Sequence, residues 1–355
     1  ERIHAAYARA LSERAQAHEY DSEIADHWDE AGETERAFAA HLTAGRTAVT
    51  GLAFERAEAH FERALDLWDR LPDAAAVAGE PRLAIVDRAA SAAARAGHFE
   101  QAVALTHAII DDGDEVPPET FERARSSLRW YLWEAGDIAT VREAAESVVA
   151  EGEAVPPRWR ANALGHLAAA LLFERRADEA EPRALEARDL ALETGAIEEQ
   201  VLAEGLLGWC RLLGGDVDAG LEAIRRAADA ADRVEEGGLQ GRYPVGAALA
   251  RVHLAMALEM VERFDEAYQV AREGAAVAAA HGVARTFGSS LQASAARALF
   301  QLGRLDDAVA TVDTGLADGA VGSGRVALVA QRATLLVVAD QLDEAELVLV
   351  DACIL

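Results

Sequence analysis

A short phrase that recurs along the chain constrains the fold more than any other feature of the sequence. In its clearest copy, Gly97-His98-Phe99-Glu100-Gln101-Ala102, a glycine and a polar residue precede an apolar residue, two polar residues and an alanine. The apolar position returns in steps of 39, 39, 40, 47, 41 and 37 residues, and a near-constant period of this length is typical of stacked helical repeats. It is occupied in turn by Phe99, Ile138, Ala177, Val217, Phe264, Leu305 and Leu342. The sequence therefore predicts an all-α fold.

The chemistry of the phrase predicts a tight turn between two antiparallel helices. Glycine permits the left-handed backbone that ends a first helix, and the acidic residue that often follows favours the N-terminus of a second helix. We expect the apolar residue to pack between the two helices, and the alanine to let them cross closely. Because each helix pair buries only part of its apolar surface, neighbouring pairs must stack to complete the core.

The N-terminal part of the chain follows the pattern more loosely. Residues 1–80 are predicted to form a helical segment that continues into the array, and residues 81–355 the regular repeats. Helices are predicted from Thr34 to Thr50 and from about Phe54 to Leu71, with a loop over residues 72–81. Ser22 is the predicted N-cap of an earlier helix. Pro182 falls near the start of a predicted second helix, which we expect to begin late or to kink if the proline lies beyond the first turn.

Composition limits the possible partners and the compartment. The formal net charge is −28 and there is no lysine; such a surface repels nucleic acid and anionic membranes and could attract a cationic partner. The simpler interpretation is a solvated acidic outer face. Two cysteines, Cys210 and Cys353, are too few for a disulfide framework, and no apolar run reaches the length of a membrane span, so a cytoplasmic protein is expected. The chain begins at Glu1 without a methionine, and we interpret it as a piece of a longer protein.

The repeated phrase resembles the tetratricopeptide repeat (TPR), whose glycine, aromatic residue and alanine have the same spacing. The resemblance covers residues 83–355 well and the first 80 loosely; Val141 and Gly220 replace the alanine in two copies. It implies a right-handed superhelical TPR-like solenoid of stacked antiparallel helix pairs. The period is nearer 40 residues than the usual 34. That longer spacing is similar to the helical arm of large ATP-binding LuxR-type transcriptional regulators, the group that includes the maltose-regulon activator.

The N-terminal segment adds to the second resemblance. His27-Trp28, Phe54-Glu55-Arg56-Ala57 and the stretch from Phe61 to Trp68 resemble the region that follows the ATPase module in such regulators, and in some bacterial signalling cyclases. The family implies an ATPase before this piece, where ATP would bind, and a helix-turn-helix DNA-binding domain after it. The piece itself has no lysine for a phosphate-binding loop, so we expect no cofactor within it. Sequences flanking residues 1 and 355 would decide the parent family.

The resemblance also implies that the first helix of each unit lines a concave groove that binds the partner. Trp130, Trp209, Met256 and Arg297 each lie eleven residues before the alanine position. Tryptophans there would suit an apolar ligand, a sugar face or a peptide side chain, and Arg123 and Arg297 an anion; the alternative is that the tryptophans pack between helices. The groove candidates counted in this way are Arg123, Trp130, Trp133, Asn162, His166, Trp209, His253, Met256 and Arg297.

No motif in the sequence indicates catalysis or metal binding. No histidine or cysteine cluster has metal-ligand spacing, and the carboxylates form no arrangement distinct from a solvated face. Asn162 and His166 could form a hydrogen-bonding pair toward a ligand, although a satisfied structural histidine is the favoured explanation of the spacing. The glycine-rich stretch 319–325 has no preceding strand and is interpreted as a linker. We therefore expect a non-enzymatic sensor or scaffold arm that binds a small-molecule inducer or a protein in its groove, or else a general protein-interaction scaffold.

Overall fold

A computed structural model describes residues 1–14, 17–111, 116–236 and 244–353, and in these ranges the regular structure is helical with no strand. The earlier α-helices are α1 (Arg2–Ser12), α2 (Asp21–Glu30), α3 (Thr34–Thr50), α4 (Phe54–Trp68), α5 (Ala74–Ala78), α6 (Arg82–Ala96), α7 (Phe99–Asp111), α8 (Pro118–Glu134), α9 (Ile138–Ala150) and α10 (Pro157–Phe173). The later ones are α11 (Ala177–Thr194), α12 (Ile197–Leu213), α13 (Val217–Glu236), α14 (Pro244–Met260), α15 (Phe264–Ala280), α16 (Ser289–Gln301), α17 (Leu305–Ala317), α18 (Gly322–Val338) and α19 (Leu342–Cys353). The predicted all-α fold of stacked helix pairs is confirmed.

In each copy of the recurring phrase, the apolar residue marks the start of the second helix of a pair. Each of the seven apolar residues counted in the sequence is the first residue of a helix, from Phe99 of α7 to Leu342 of α19. The residue two places earlier has a positive φ at all seven turns, as a glycine at four of them and as Arg175, Glu262 and Asp340 at the others. The shared left-handed residue explains why the turn is preserved while the surrounding sequence varies.

The alanine position of the phrase is buried in every copy, as predicted. Ala102, Ala180, Ala267 and Ala308 are fully buried. The two helices also approach closely where glycine replaces the alanine, because a Cβ added to Gly220 would lie 2.6 Å from the main-chain nitrogen of Leu212. The expectation for the apolar position holds only in part. Phe99 is buried, but Val217, Leu305 and Leu342 are exposed and do not pack between their helices.

Three local expectations need correction. Residues 72–81 are not entirely a loop, because α5 forms within them and its N-cap Asp73 accepts a hydrogen bond from the main-chain nitrogen of Ala76. Helix α2 begins at Asp21, so Ser22 lies inside the helix and is not its N-cap. Pro182 is the sixth residue of α11, which runs without a break from Ala177 to Thr194. A proline at that depth removes one main-chain hydrogen bond, and the flanking turns of the helix tolerate the loss.

The chain divides into two units, Glu1–Tyr131 and Leu132–Leu355, with the boundary inside α8. In the first unit, α2, α3, α4, α6 and α7 pack in succession around a core that includes Phe38, Phe61 and Ile85. In the second unit, the second helices α11, α13, α15 and α17 each pack against the first helices on either side. None of the described helices combines the length and the apolar character needed to cross a bilayer.

Candidate functional site

The first helices of the second unit form a continuous layer. Helices α10, α12, α14, α16 and α18 each contact the next first helix, whereas the second helices are separated from one another by first helices. The first helices therefore lie closer together than the second helices do, and we call their shared exposed side the inner face. Seven of the nine groove candidates belong to this unit, and Arg123 and Trp130 belong to the first.

Aromatic and apolar side chains occupy the inner face but differ in how far they are committed to packing. Trp133 lies on α8, outside the helices that define this face, and its ring meets that of Phe173 edge-on, with centroids 5.9 Å apart. Trp209 is half-buried and packs against the apolar cluster that includes Leu254 and Leu258 of the next first helix. Met256, at the same register as Trp209, is 44% exposed. The tryptophans thus combine packing between helices with a remaining accessible surface.

His253 is the one polar side chain in a cleft formed by α12, α13 and α14. The cleft has an empty volume of about 340 Å³, including solvent at its mouth. Burial lowers the pKa of the His253 imidazole to about 4, so the ring is neutral at physiological pH. A neutral imidazole offers one donor and one acceptor, and the described residues supply neither with a partner. The other residues that line the cleft are Val201, Leu202, Gly205, Ile224, Ala227, Gly246, Leu249 and Ala250.

The remaining polar candidates make contacts within the protein. His166 Nδ1 donates to the main-chain oxygen of Asn162 at 2.9 Å, so the i, i+4 spacing produces a bond within one helix. Arg297 Nε donates to Glu259 Oε2 at 2.7 Å, which links α16 to α14. An anionic ligand at Arg297 would have to compete with the Glu259 carboxylate.

The two candidates of the first unit also have partners there. Arg123 Nη2 donates to Asp87 Oδ2 at 2.9 Å. The ring of Trp130 lies edge-on to Phe99, with centroids 6.3 Å apart. Trp130 therefore packs against the first residue of α7, and Arg123 links α8 to α6.

A larger cleft lies between α9, α10 and α11 and was not anticipated from the sequence. Its empty volume is about 920 Å³, including open solvent. Its lining includes Leu167, Leu171 and Pro182 together with charged residues. Two of these, Arg176 and Glu179, already pair with each other, because Arg176 Nε donates to Glu179 Oε1 at 2.7 Å.

A buried chain of polar groups in the first unit was also missed by sequence reasoning. His41 and His60 are 3% and 8% exposed, and their Nδ1 atoms are 2.9 Å apart. His60 Nε2 is 2.9 Å from Ser22 Oγ, and His41 Nε2 is 3.4 Å from Asp29 Oδ2. Arg63 completes the chain by donating to both Asp29 oxygens. These groups come from α2, α3 and α4, so no local sequence spacing reveals them.

The described residues contain no group of three or more histidine, cysteine or acidic side chains arranged to hold a metal ion.

Comparisons with known proteins identify the fold. No protein-family model matches the chain, and no curated protein matches its sequence. Among solved structures, the chain is similar to a Rap protein complexed with competence and sporulation factor, at 12% identity and a TM-score of 0.53, over 87% of this chain and 85% of that one. It is similar to the apo form of the quorum sensor NprR from B. thuringiensis, at 11% identity and a TM-score of 0.54, over 88% and 86% of the two chains.

A third similar structure is a signal transduction ATPase with numerous domains and a tetratricopeptide repeat sensor, from Pyrococcus horikoshii. The identity is 12% and the TM-score 0.45, over 96% of this chain and 52% of that one. At such identities, the similarity to the Rap and NprR structures shows a shared helical-repeat fold and nothing about the ligand.

Proposed function

We propose that the chain is the ligand- or protein-binding sensor and scaffold arm of a signal-responsive ATPase transcriptional regulator. Its ligand would lie on the inner face of the second unit. One observation carries the proposal: the inner face combines partly accessible aromatic and apolar surface at Trp209 and Met256 with a neutral imidazole at His253 that has no partner among the described residues. Packing of the helices requires neither feature, whereas apolar surface with a few polar groups is what ligand sites provide.

A peptide or protein segment suits the inner face better than a small inducer does. The first helices of successive repeats lie side by side, so side chains of an extended segment could contact one helix after another. The cleft at His253 is open and has room for a group about the size of a water molecule, so its imidazole would contact a polar group of such a segment. The similar Rap structure is complexed with competence and sporulation factor, and the similar NprR structure is a quorum sensor; both support a signal-binding role. A small-molecule inducer remains the second form of the same proposal.

The arm would transmit binding by a shift in population between two arrangements of its helices. A ligand that contacts α14 and α16 together would act on the Arg297–Glu259 ion pair that links them. The arm itself would perform no catalysis. ATP would bind to a module upstream of this piece, and the protein would act in the cytoplasm without direct contact of this arm with DNA or a membrane.

A general protein-interaction scaffold is the alternative function. The net charge of −28 favours it, because an acidic surface attracts cationic partners without a specific groove. The two functions differ in salt dependence, since attraction between exposed charges weakens at high ionic strength. Binding that survives high salt and depends on the inner face supports the sensor function.

A thermal-shift screen with metabolites and peptides tests the proposal. We expect at least one compound to raise the melting temperature and to alter the tryptophan fluorescence. In the Met256→Ser variant the shift should disappear, whereas it should persist in Leu192→Ser, a matched control with an exposed leucine on a second helix. The proposal fails for this face if both variants respond like the wild type. The flanking sequence tests the parent family, which requires an ATPase upstream and a helix-turn-helix downstream.

A further inference from the structure

The second unit exposes apolar side chains on both sides of its helix-pair turns. We call this surface the turn edge and define it by seven residues that are between 40% and 67% exposed. They occupy either the end of a first helix or the start of a second one. The seven are Phe173, Leu213, Val217, Met260, Leu305, Val338 and Leu342.

The fold does not require this exposure. At the same position of the phrase in the first unit, Phe54 and Phe99 are only 6% and 5% exposed. There Arg95, at the end of the first helix α6, lies over the ring of Phe54 with its guanidinium carbon 5.2 Å from the ring centre. The same type of turn can therefore be covered, whereas Val217, Leu305 and Leu342 of the second unit are left exposed.

Contacts between successive helix pairs of the second unit bring these exposed residues into one surface. The rings of Trp133 and Phe173 meet across α8 and α10. Arg142 of α9 donates to Glu174 in the next turn at 3.1 Å, and Arg225 of α13 donates to Glu266 of α15 at 2.6 Å. The turns therefore follow one another along one edge of the second unit.

An unpaired row of aspartates runs beside the apolar residues. In each helix pair from α11 onward, the second helix of the pair has an exposed aspartate one residue after its start. These second helices are α11, α13, α15, α17 and α19. Among the described residues, none of these aspartates forms an ion pair. The next residue, by contrast, is paired at three turns with the arginine that precedes the helix, as in Arg304 with Asp307. The row comprises Asp178, Asp218, Asp265, Asp306 and Asp343.

We propose that the turn edge is a docking surface for a cationic amphipathic helix of a partner protein. Apolar surface at each turn would receive its apolar side chains, and the aspartate row its lysines or arginines. The spacing of the first-helix ends is compatible with a helix, because successive first helices contact one another, packed helices lie about 8–10 Å apart and seven residues of an α-helix advance about 10.5 Å. The same aspartates repel anionic lipid and nucleic acid, so a protein partner is favoured. This surface differs from the inner face, and the inference does not depend on the proposed sensor function.

The test uses the full chain and a fluorescent, helix-forming peptide of about three heptads with leucines on one face and lysines beside them. Binding is followed by fluorescence anisotropy. Two control peptides carry glutamate in place of lysine, or the same composition in scrambled order. We expect only the peptide with leucines on one face and lysines beside them to bind, with an affinity that falls as the salt concentration is raised.

Double variants distinguish binding at the turn edge from nonspecific hydrophobic binding elsewhere on the surface. Leu213→Ser with Met260→Ser should weaken binding by about tenfold or more, since each buried apolar side chain contributes strongly to association. Leu185→Ser with Leu192→Ser removes equally exposed leucines of α11 away from the turns, and should change the affinity less than about twofold. Asp218→Asn with Asp265→Asn should weaken binding and flatten its salt dependence.

Circular dichroism and the melting temperature identify variants that remain folded, and only these are compared. The proposal is overturned if the lysine peptide does not bind, if the glutamate peptide binds as well, or if the two leucine-containing pairs behave alike. Association with anionic lipid vesicles that depends on Leu213 and Met260 would also overturn it, in favour of a membrane-binding edge.

Discussion

The imidazole rings of His41 and His60 face each other with their Nδ1 atoms 2.9 Å apart inside the first unit. Such a contact requires one donor and one acceptor, so at least one ring must be neutral. The arrangement that satisfies the neighbours has Ser22 Oγ donating to His60 Nε2, His60 Nδ1 donating to His41 Nδ1, and His41 Nε2–H directed at the Asp29 carboxylate. A second proton on His60 Nε2 leaves the serine hydroxyl without its acceptor, and one on His41 Nδ1 breaks the contact between the rings.

Acidification is therefore expected to destabilise the first unit. Burial is the largest cause that lowers the pKa of both His41 and His60, and it outweighs the nearby Asp26 carboxylate, which raises both. The unfolded chain then binds more protons than the folded chain near pH 6, so the stability present above about 6.5 is lost as the pH falls toward the lowered values. Each kcal/mol lost lowers the melting temperature by roughly 2–4 °C. Thermal unfolding between pH 8 and 5 measures the effect.

Two variants test whether the buried histidine pair causes the loss of melting temperature on acidification. His60→Gln retains a polar side chain that does not titrate, and we expect a smaller loss of melting temperature on acidification than in the wild type. His107 is exposed on α7, so His107→Gln should retain the wild-type pH dependence. Equal pH dependence in all three proteins would contradict the assignment to the buried pair.

The crossing of α12 and α13 is expected to depend on glycine at position 220. A Cβ there would lie 2.6 Å from Leu212 N and 2.8 Å from the Gly208 oxygen, both of which are main-chain atoms. We expect Gly220→Ala to lower the free energy of unfolding by about 1–3 kcal/mol. Gly205→Ala is the matched control, because its Cβ would lie 3.7 Å from Ala227 and alanine favours a helix by up to about 1 kcal/mol. Urea denaturation in which the two variants lose equal stability would contradict this account.

The left-handed residue at the turns provides a reciprocal pair of substitutions. Glu262 has a φ of 61° and Gly215 a φ of 95° at equivalent positions. We expect Gly215→Ala to cost about 1–2 kcal/mol, and no clash contributes, because nothing lies within 4 Å of the added Cβ. Glu262→Gly should stabilise the chain by up to about 1 kcal/mol. Urea unfolding of both variants tests the pair, and a change of the same sign in both would show that side-chain contacts dominate.

Cys210 is expected to resist alkylation in the folded protein. Its side chain is buried, and burial raises the pKa of the thiol to about 11. Because the thiolate is the nucleophile, labelling at pH 8 should be about a hundredfold slower than for an ordinary cysteine. The measurement uses a Cys353→Ser background, and denaturing urea should restore the ordinary rate. Rapid labelling of the native protein would indicate that α12 opens frequently.

The helix starts could be predicted from the sequence because the turn determines them locally. Thr34–Thr50 and the seven second-helix starts match the structure. The exposure of Val217 and Leu305 could not be predicted, because it depends on what a neighbouring unit places over the turn. In the first unit Arg95 covers Phe54, and no periodicity distinguishes a covered turn from an open one.

The candidate site was predictable only at the level of which helices carry it. Counting back from the turns located Met256 and His253 on first helices, but their contacts depend on adjacent helices. The pairing of Arg297 with Glu259 joins residues 38 positions apart. His41 and His60 are separated by 19 positions on different helices. These separations along the sequence are close to one repeat length and to half of one. A single sequence does not reveal such contacts, because most residues at those separations do not touch.

The turns of this protein are uniform, and its variation in repeat length falls elsewhere. The step from Val217 to Phe264 is 47 residues and that from Leu305 to Leu342 is 37, yet each begins a helix after the same left-handed residue. The difference arises after the turn, in the length of the second helix and the segment that follows it, since α13 has 20 residues and α17 has 13. The turn consequently tolerates changes of repeat length beyond it, so a lineage could lengthen or shorten a second helix, or the segment after it, while every residue of the turn kept its backbone conformation.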